Sequence, residues 1–296
     1  TTSGLSVGAS VGESASASAG ESESAGSESE GEGRPRIFGG ERPVELQLPV
    51  AFDEGRSYPL VLVLHAFGST PAEEIELLDL AGIDADPGVF VLAPEGLPAT
   101  DGRLAWNACP ACCGDTESDD VAYLGGVVDE VVAAWPIDPA QVFAVGRSNG
   151  HFMAYRLACD RADRFTAVAG LAGAATSVDG TGCAPISPVS TLHIHGDADG
   201  VIRYEGGWYD APYPGAVATT ALWAEHDGCD MTFEDGGALD LVDALPGAET
   251  AISRAQGCPA GVDVELWTIA GGTHRPILIP GTGARIVTWL MDHPRR

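Results

Sequence analysis

Residues 142–158 read VFAVGRSNGHFMAYRLA. The apolar run VFAVG meets Arg147-Ser148-Asn149 and then a segment with the composition of a helix, so the chain turns sharply from strand to helix at a serine. Gly146 and Gly150 stand two residues to either side of Ser148. Glycine there permits a tight turn and close packing, and G-x-S-x-G in that setting is a nucleophile elbow that pushes the serine hydroxyl into the open. The helix that begins at Asn149 aims its backbone donors and its positive end at that hydroxyl. The pentapeptide alone arises by chance in a chain with 39 glycines. Its position between strand and helix makes Ser148 the candidate nucleophile, rather than a serine that merely shapes a turn.

Short β-branched or leucine-rich runs recur at 44–50, 60–65, 89–93, 141–146, 166–172, 190–195 and 262–269. Most are continuously apolar, as strands covered on both faces are. Helix-like segments lie between or after them at 70–81, 118–135, 149–163, 215–228 and 284–293. Alternation of this kind predicts an α/β domain over 34–296, with a mainly parallel central sheet, helices on both faces and no large cap domain. Ser69 or Thr70 can cap the first helix, Pro71 suits its first turn, and Glu73 and Glu74 favour its positive end. Residues 101–117 and 229–250 are Gly- and Asp-rich and are predicted as loops over the sheet edge.

Residues 1–33 contain almost only Ser, Gly, Ala and Glu, so they predict a disordered, solvated spacer. The chain starts at Thr with no signal-peptide core and no apolar run long enough to cross a membrane, which predicts a processed, exported form, tethered through the spacer if it is anchored at all. The net charge is −28, and with six acids in the spacer about −22 remains on the rest. Nucleic acid and anionic membranes are therefore poor partners. Seven cysteines point to an oxidising compartment, and an odd number leaves one thiol unpaired. The CPACC run at 109–113 has no second Cys or His pair at ligand spacing, so disulfides are expected there and no metal.

A nucleophilic serine needs a base and an acid, which follow it in the order Ser, Asp or Glu, His on this type of sheet. His151 falls outside that order, His226 lies within a helix, and His293 lies near a helix end. His274 follows the strand VELWTIA in the turn GGTHRP and is the candidate base. The run HIHGDADGVIRY offers Asp197 and Asp199 as the acid, with Asp199 chosen on a spacing that barely separates the two. The oxyanion donors are expected to be the N–H of Asn149 and the N–H of Phe67, in the loop after LVLVLH. Phe67, Trp106, Tyr204, Trp208 and Tyr209 are candidates for an aromatic wall on the substrate, whereas Trp223 reads as core.

Taken in order, LHAFGST, WNACPACCG, SDDVAYL, GRSNGHFMAYRLAC, HIHGDADGVIRYEGG and VELWTIAGGTHRP resemble the secreted α/β-hydrolase esterases of the polyhydroxybutyrate depolymerase and feruloyl esterase family, over roughly 44–290. The resemblance implies the α/β-hydrolase fold, a triad of Ser148, Asp199 and His274 with no cofactor, and disulfides Cys159–Cys183 and Cys229–Cys258. Cys109, Cys112 and Cys113 would then supply a third bridge, with a vicinal pairing among the choices, and a leftover thiol. It further implies ester substrates, either polyesters or feruloyl and acetyl groups on plant polysaccharide. Ala66, His151 and Arg275 replace two glycines and a tryptophan of the family pattern. Ala66 is tolerable at negative φ, and His151 and Arg275 are expected to flank the site and bear on the substrate. The rival functions are a serine peptidase of the same fold and a binding domain that has lost the chemistry.

Overall fold

The run LVLVL shows how the layers arise. Leu60, Leu62 and Leu64 enter one apolar cluster, while Val61 and Val63 enter another on the opposite face. A strand that is apolar at every position is thus covered twice. The computed structural model describes residues 33–80, 88–113 and 117–295; apart from Gly33, the predicted spacer lies outside the described residues.

The strands are β1 (Ile37–Phe38), β2 (Val44–Gln47), β3 (Tyr58–Leu64), β4 (Phe90–Leu92), β5 (Leu97–Pro98), β6 (Leu104–Ala105), β7 (Ile137–Arg147), β8 (Ala167–Leu171), β9 (Ser190–Gly196), β10 (Gly206–Trp208), β11 (Pro212–Pro214), β12 (Phe233–Leu239), β13 (Thr250–Ala255) and β14 (Val264–Ile269). The helices are α1 (Pro71–Leu77), α2 (Asp120–Ala134), α3 (Asn149–Asp160), α4 (Ala216–His226) and α5 (Thr282–Met291). Among the described residues, ten strands form one sheet in the order β1-β2-β4-β3-β7-β8-β9-β14-β13-β12. From β4 to β14 the pairing is parallel, and the two edges are antiparallel. Side chains of α2, α3 and α4 fill one core cluster, and those of α1 and α5 pack into the other.

Two expectations need correction. The segment 229–250 is not all loop, because β12 extends the sheet edge there. Its sequence, FEDGGAL, is polar and has no fully buried residue, so it lacks the apolar signal of the central strands. The first helix ends at Leu77, short of the predicted 81, and the backbone turns at Asp79 with φ 53°. Its start is as read: Thr70 accepts from Glu73 N–H while the Glu73 carboxylate accepts from Thr70 N–H.

Asp227, after α4, is a weak point in this core. Its Oδ1 accepts the Val189 N–H at 2.9 Å, but Oδ2 is buried without a partner among the described residues. Burial pushes this carboxyl up to about 7. In the unfolded chain it ionises near its ordinary value of about 3.9. The folded form therefore binds the proton more tightly, and stability declines as pH rises from about 4 to about 7. Asp227→Asn is expected to remove that decline and to stabilise the protein by up to roughly 4 kcal/mol above pH 7. Denaturant melts of both proteins at pH 4 and pH 8 check it; an equal difference at the two pH values would contradict it.

Candidate active site

β7 runs through Arg147 directly into Ser148, and α3 starts at the next residue. Ser148 holds φ 52° and ψ −119°, a conformation that costs an L-residue about 1–3 kcal/mol. Close packing requires both flanking glycines. A Cβ on Gly146 would strike the Gly150 carbonyl group, and a Cβ on Gly150 would strike the Leu64 carbonyl group. Strand β7 and helix α3 could not then meet at this angle.

The loops after β9 and β14 bring the other two residues to this serine. His274 Nε2 lies 3.1 Å from Ser148 Oγ, and His274 Nδ1 lies 2.7 Å from Asp199 Oδ2. Asp197 lies apart from this set, its carboxylate accepting the Gly271 N–H. Asp199 has donors on both oxygens: Oδ1 accepts the N–H groups of Val201 and Ile202 at 2.8 and 3.0 Å, and Oδ2 faces His195 Nε2 at 3.3 Å as well as His274. Burial alone would raise this carboxyl, but the hydrogen bonds from His195 and His274 and the attraction of His274 hold it down to about 2. It is thus a carboxylate at neutral pH.

Sequence reading missed His195, although it stands in the HIHGDAD run. Its Nε2 also lies 2.8 Å from the Ile202 carbonyl. Only acceptors face that nitrogen, which assigns the proton to Nε2. Its Nδ1 must then accept from His193 Nε2 at 3.0 Å, and His193 Nδ1 from the Tyr155 hydroxyl at 2.8 Å. The buried chain Tyr155, His193, His195 thus points its donors toward Asp199, and burial keeps the His193 ring neutral.

Beside the elbow, the loop after β3 carries Phe67. The amides around it are engaged: Ala66 N–H with the Glu74 carboxylate, Gly68 N–H with Leu104 O, and Ser69 N–H with Ala66 O. The Phe67 N–H donates to nothing among the described residues. Asn149, as the first residue of α3, likewise has an N–H without an intrahelical acceptor. The residues with positive φ other than glycine are Asp79, Cys113, Ser148 and Ala172, so Ala66 replaces a glycine without strain among the described residues.

Trp106 corrects its reading as a substrate contact, because it is fully buried. Its indole N–H donates to His65 O at 3.0 Å, its backbone N–H donates to Asn149 Oδ1 at 2.7 Å, and Asn149 Nδ2 donates back to Trp106 O. It ties the Phe67 loop to the elbow. His151 is also corrected: it is buried under the elbow, stacked on Tyr155, where Gly170 and Gly173 leave room for its ring. Its Nδ1 accepts the Gly173 N–H at 3.1 Å. Tyr204 is half-buried behind the acid loop, bonded to Thr268 and edge-on to His195. Trp208 is 71% exposed on the β10–β11 hairpin, and Arg275 is exposed within electrostatic reach of Glu73 and Glu74.

Ser148 and His274 open into a cavity of about 230 Å³, also lined by Phe67, Arg147, Tyr209 and Cys113. A larger groove of about 1060 Å³ shares Phe67, Arg103, Tyr209 and Cys113 with it and has Asn107, Arg156 and Thr181 on its walls. Arg103 lies over the Phe67 ring at 4.1 Å. The disulfides are Cys159–Cys183, Cys229–Cys258 and the vicinal Cys112–Cys113, leaving Cys109 as a buried thiol. No group of His, Cys, Asp or Glu among the described residues could hold a metal ion. No helix there is long and apolar enough to cross a membrane.

The chain is similar to feruloyl esterase D of Neurospora crassa, at 29% identity over 246 residues covering 81% of this chain and 76% of that protein. It is 38% identical over 160 residues to NocK of Nocardia uniformis subsp. tsuyamanensis, which is described as an esterase; that match covers 53% of this chain and 44% of NocK, less than half its length. The acetyl xylan esterase from Aspergillus awamori has the same fold, with a TM-score of 0.60 at 14% identity over 84% of this chain and 94% of that one. No family model matches the chain.

Proposed function

We propose that this chain, which is similar to feruloyl esterase D and to NocK, is a feruloyl esterase-like α/β-hydrolase, a carboxylic ester hydrolase acting through an acyl-enzyme on Ser148. The observation that carries the reading is the pair of contacts from Asp199 through His274 to the Ser148 hydroxyl. His274 Nε2 takes the hydroxyl proton as Oγ attacks the ester carbonyl carbon. Charge then moves onto the carbonyl oxygen, where the Phe67 and Asn149 N–H groups receive it. As the tetrahedral intermediate collapses, His274 returns the proton to the leaving alcohol. Water, deprotonated by His274, repeats the sequence on the acyl-enzyme and frees the acid and the serine. Asp199 holds His274 in the tautomer with Nδ1 protonated, so Nε2 is free to accept.

The substrate is an ester on a polymer. A groove of about 1060 Å³ adjoins the small cavity at the reacting pair and has room for a chain attached to the scissile ester. Its walls mix Arg103, Arg156, Asn107 and Thr181 with Phe67, Pro110 and Tyr209, and the similarity to feruloyl and acetyl xylan esterases puts feruloyl and acetyl esters of plant polysaccharide first and hydroxyalkanoate or aromatic polyesters second. Three disulfides support an extracellular site of action, with residues 1–33 as a spacer or tether.

Hydrolysis of methyl ferulate, acetylated xylan, polyhydroxybutyrate, an aromatic polyester and a peptide p-nitroanilide by wild type and Ser148→Ala tests the reading. Serine-dependent release from the esters is expected. Turnover confined to the anilide would replace the esterase by a peptidase, and none at all would leave a binding domain. Arg275, exposed beside the base, is expected to favour carboxylate-bearing acyl groups. Arg275→Ala should lower kcat/KM several-fold for a succinyl ester relative to a butyryl ester, and unchanged selectivity would remove that role.

A further inference from the structure

A buried ion pair joins the two halves of the oxyanion hole. Glu74, in α1, has no exposed surface, and its carboxylate accepts from Arg147 Nε and Nη2, each at 3.1 Å. Arg147 immediately precedes Ser148, so one end of the pair is fixed in the elbow. At the other end, Glu74 Oε2 accepts the Ala66 N–H at 3.2 Å. The Ala66 carbonyl, which belongs to the same peptide unit as the Phe67 N–H, receives His65 Nδ1 at 2.8 Å and the Ser69 N–H at 3.0 Å.

Stability does not require this arrangement. A well-packed apolar pair of similar volume is often as stable as a buried ion pair, because it avoids desolvating two charges. An apolar pair cannot accept the Ala66 N–H, however, and that amide would then be buried without a partner beside the reacting carbonyl. We propose that Glu74, held by Arg147, is a positioning residue of the oxyanion hole: its carboxylate fixes Ala66 so that the Phe67 and Asn149 N–H groups converge on one oxygen. The inference rests on the serine esterase reading above.

Serine-dependent hydrolysis of p-nitrophenyl acetate by the wild type is established first, and its absence ends that reading and this one together. Two double variants then separate the acceptor from the ion pair. Glu74→Leu with Arg147→Met removes both, whereas Glu74→Gln with Arg147→Met keeps an acceptor oxygen and no charge. The Leu/Met variant, melting near the wild type, is expected to lose about 100-fold in kcat with KM within about threefold. Inhibition by phenylboronic acid, whose serine adduct places an oxygen in the hole, should weaken by a similar factor. The Gln/Met variant should recover at least about tenfold of the lost rate.

A folded Leu/Met variant with kcat within about threefold of wild type overturns the proposal, as does a loss confined to KM. A Gln/Met variant as slow as Leu/Met overturns it too, since the acceptor would then not matter. If Leu/Met does not fold, Gln/Met is compared with wild type directly: a kcat within about tenfold supports the positioning role, and a loss of about 100-fold or more contradicts it.

Discussion

Ser148→Ala is expected to lower kcat for ester hydrolysis by about 10⁶, a loss of roughly 8 kcal/mol in transition-state stabilisation, while the protein stays folded. Among the described residues the side-chain oxygen has one partner, His274 Nε2 at 3.1 Å, and the backbone is held separately by the Ser148 N–H to Leu171 O bond at 2.8 Å. Alanine fits the same turn with no new atom and no worse strain at φ 52°. Among the described residues, the cavity at His274 is lined by no other serine, threonine or free thiol. Initial rates on p-nitrophenyl acetate, with the melting temperature measured on the same samples, check both halves. A variant that retained more than a few per cent of the rate would place the nucleophile elsewhere.

Asp199→Asn should cost about 10⁴ in kcat near neutral pH. Every group that faces Asp199 is a donor: Val201 N–H and Ile202 N–H on Oδ1, and His274 and His195 on Oδ2. An amide has one acceptor oxygen. Turned one way, its NH₂ confronts both imidazoles, and His274 is driven to the tautomer with Nε2 protonated, which cannot take the Ser148 proton. Turned the other way, the NH₂ meets the two backbone amides and the loop must shift. Either orientation disables the base, and the variant should also melt lower than wild type. The stability gained from the ionised Asp199 is present above its unfolded value of about 3.9 and is lost as pH falls toward about 2. Acid melts of the two proteins should therefore converge over that interval; parallel melts down to pH 2 would contradict the assignment.

The central strands and the elbow were legible because their signals are local. Leu60 to Leu64 declare burial on both faces, and Gly146 to Gly150 declare a turn that only glycine at its ends allows. The sheet order requires an acid and then a histidine after Ser148, but spacing alone barely separates Asp197 from Asp199, and only the family resemblance favours Asp199. What escaped depends on contacts far apart in the chain. Trp106 and His151 sit near site motifs in sequence, yet one faces inward to bond His65 and Asn149 and the other fills the space over Gly170 and Gly173. Glu74 read as a helix-dipole residue, and nothing local shows that Arg147, 73 positions later, would bury it. The edge strand β12 was missed because an exposed strand carries little apolar pattern.

In the proposed reaction Ser148 is the residue acylated during turnover. Treating the protein with p-nitrophenyl diethyl phosphate, which phosphorylates an activated serine, and mapping the modified peptide by mass spectrometry tests it directly. One diethylphosphoryl group per chain on Ser148, with activity lost in proportion, is the predicted result. No modification of Ser148 under conditions where ester hydrolysis is seen, or a label on another residue that tracks the loss of activity, would contradict the account.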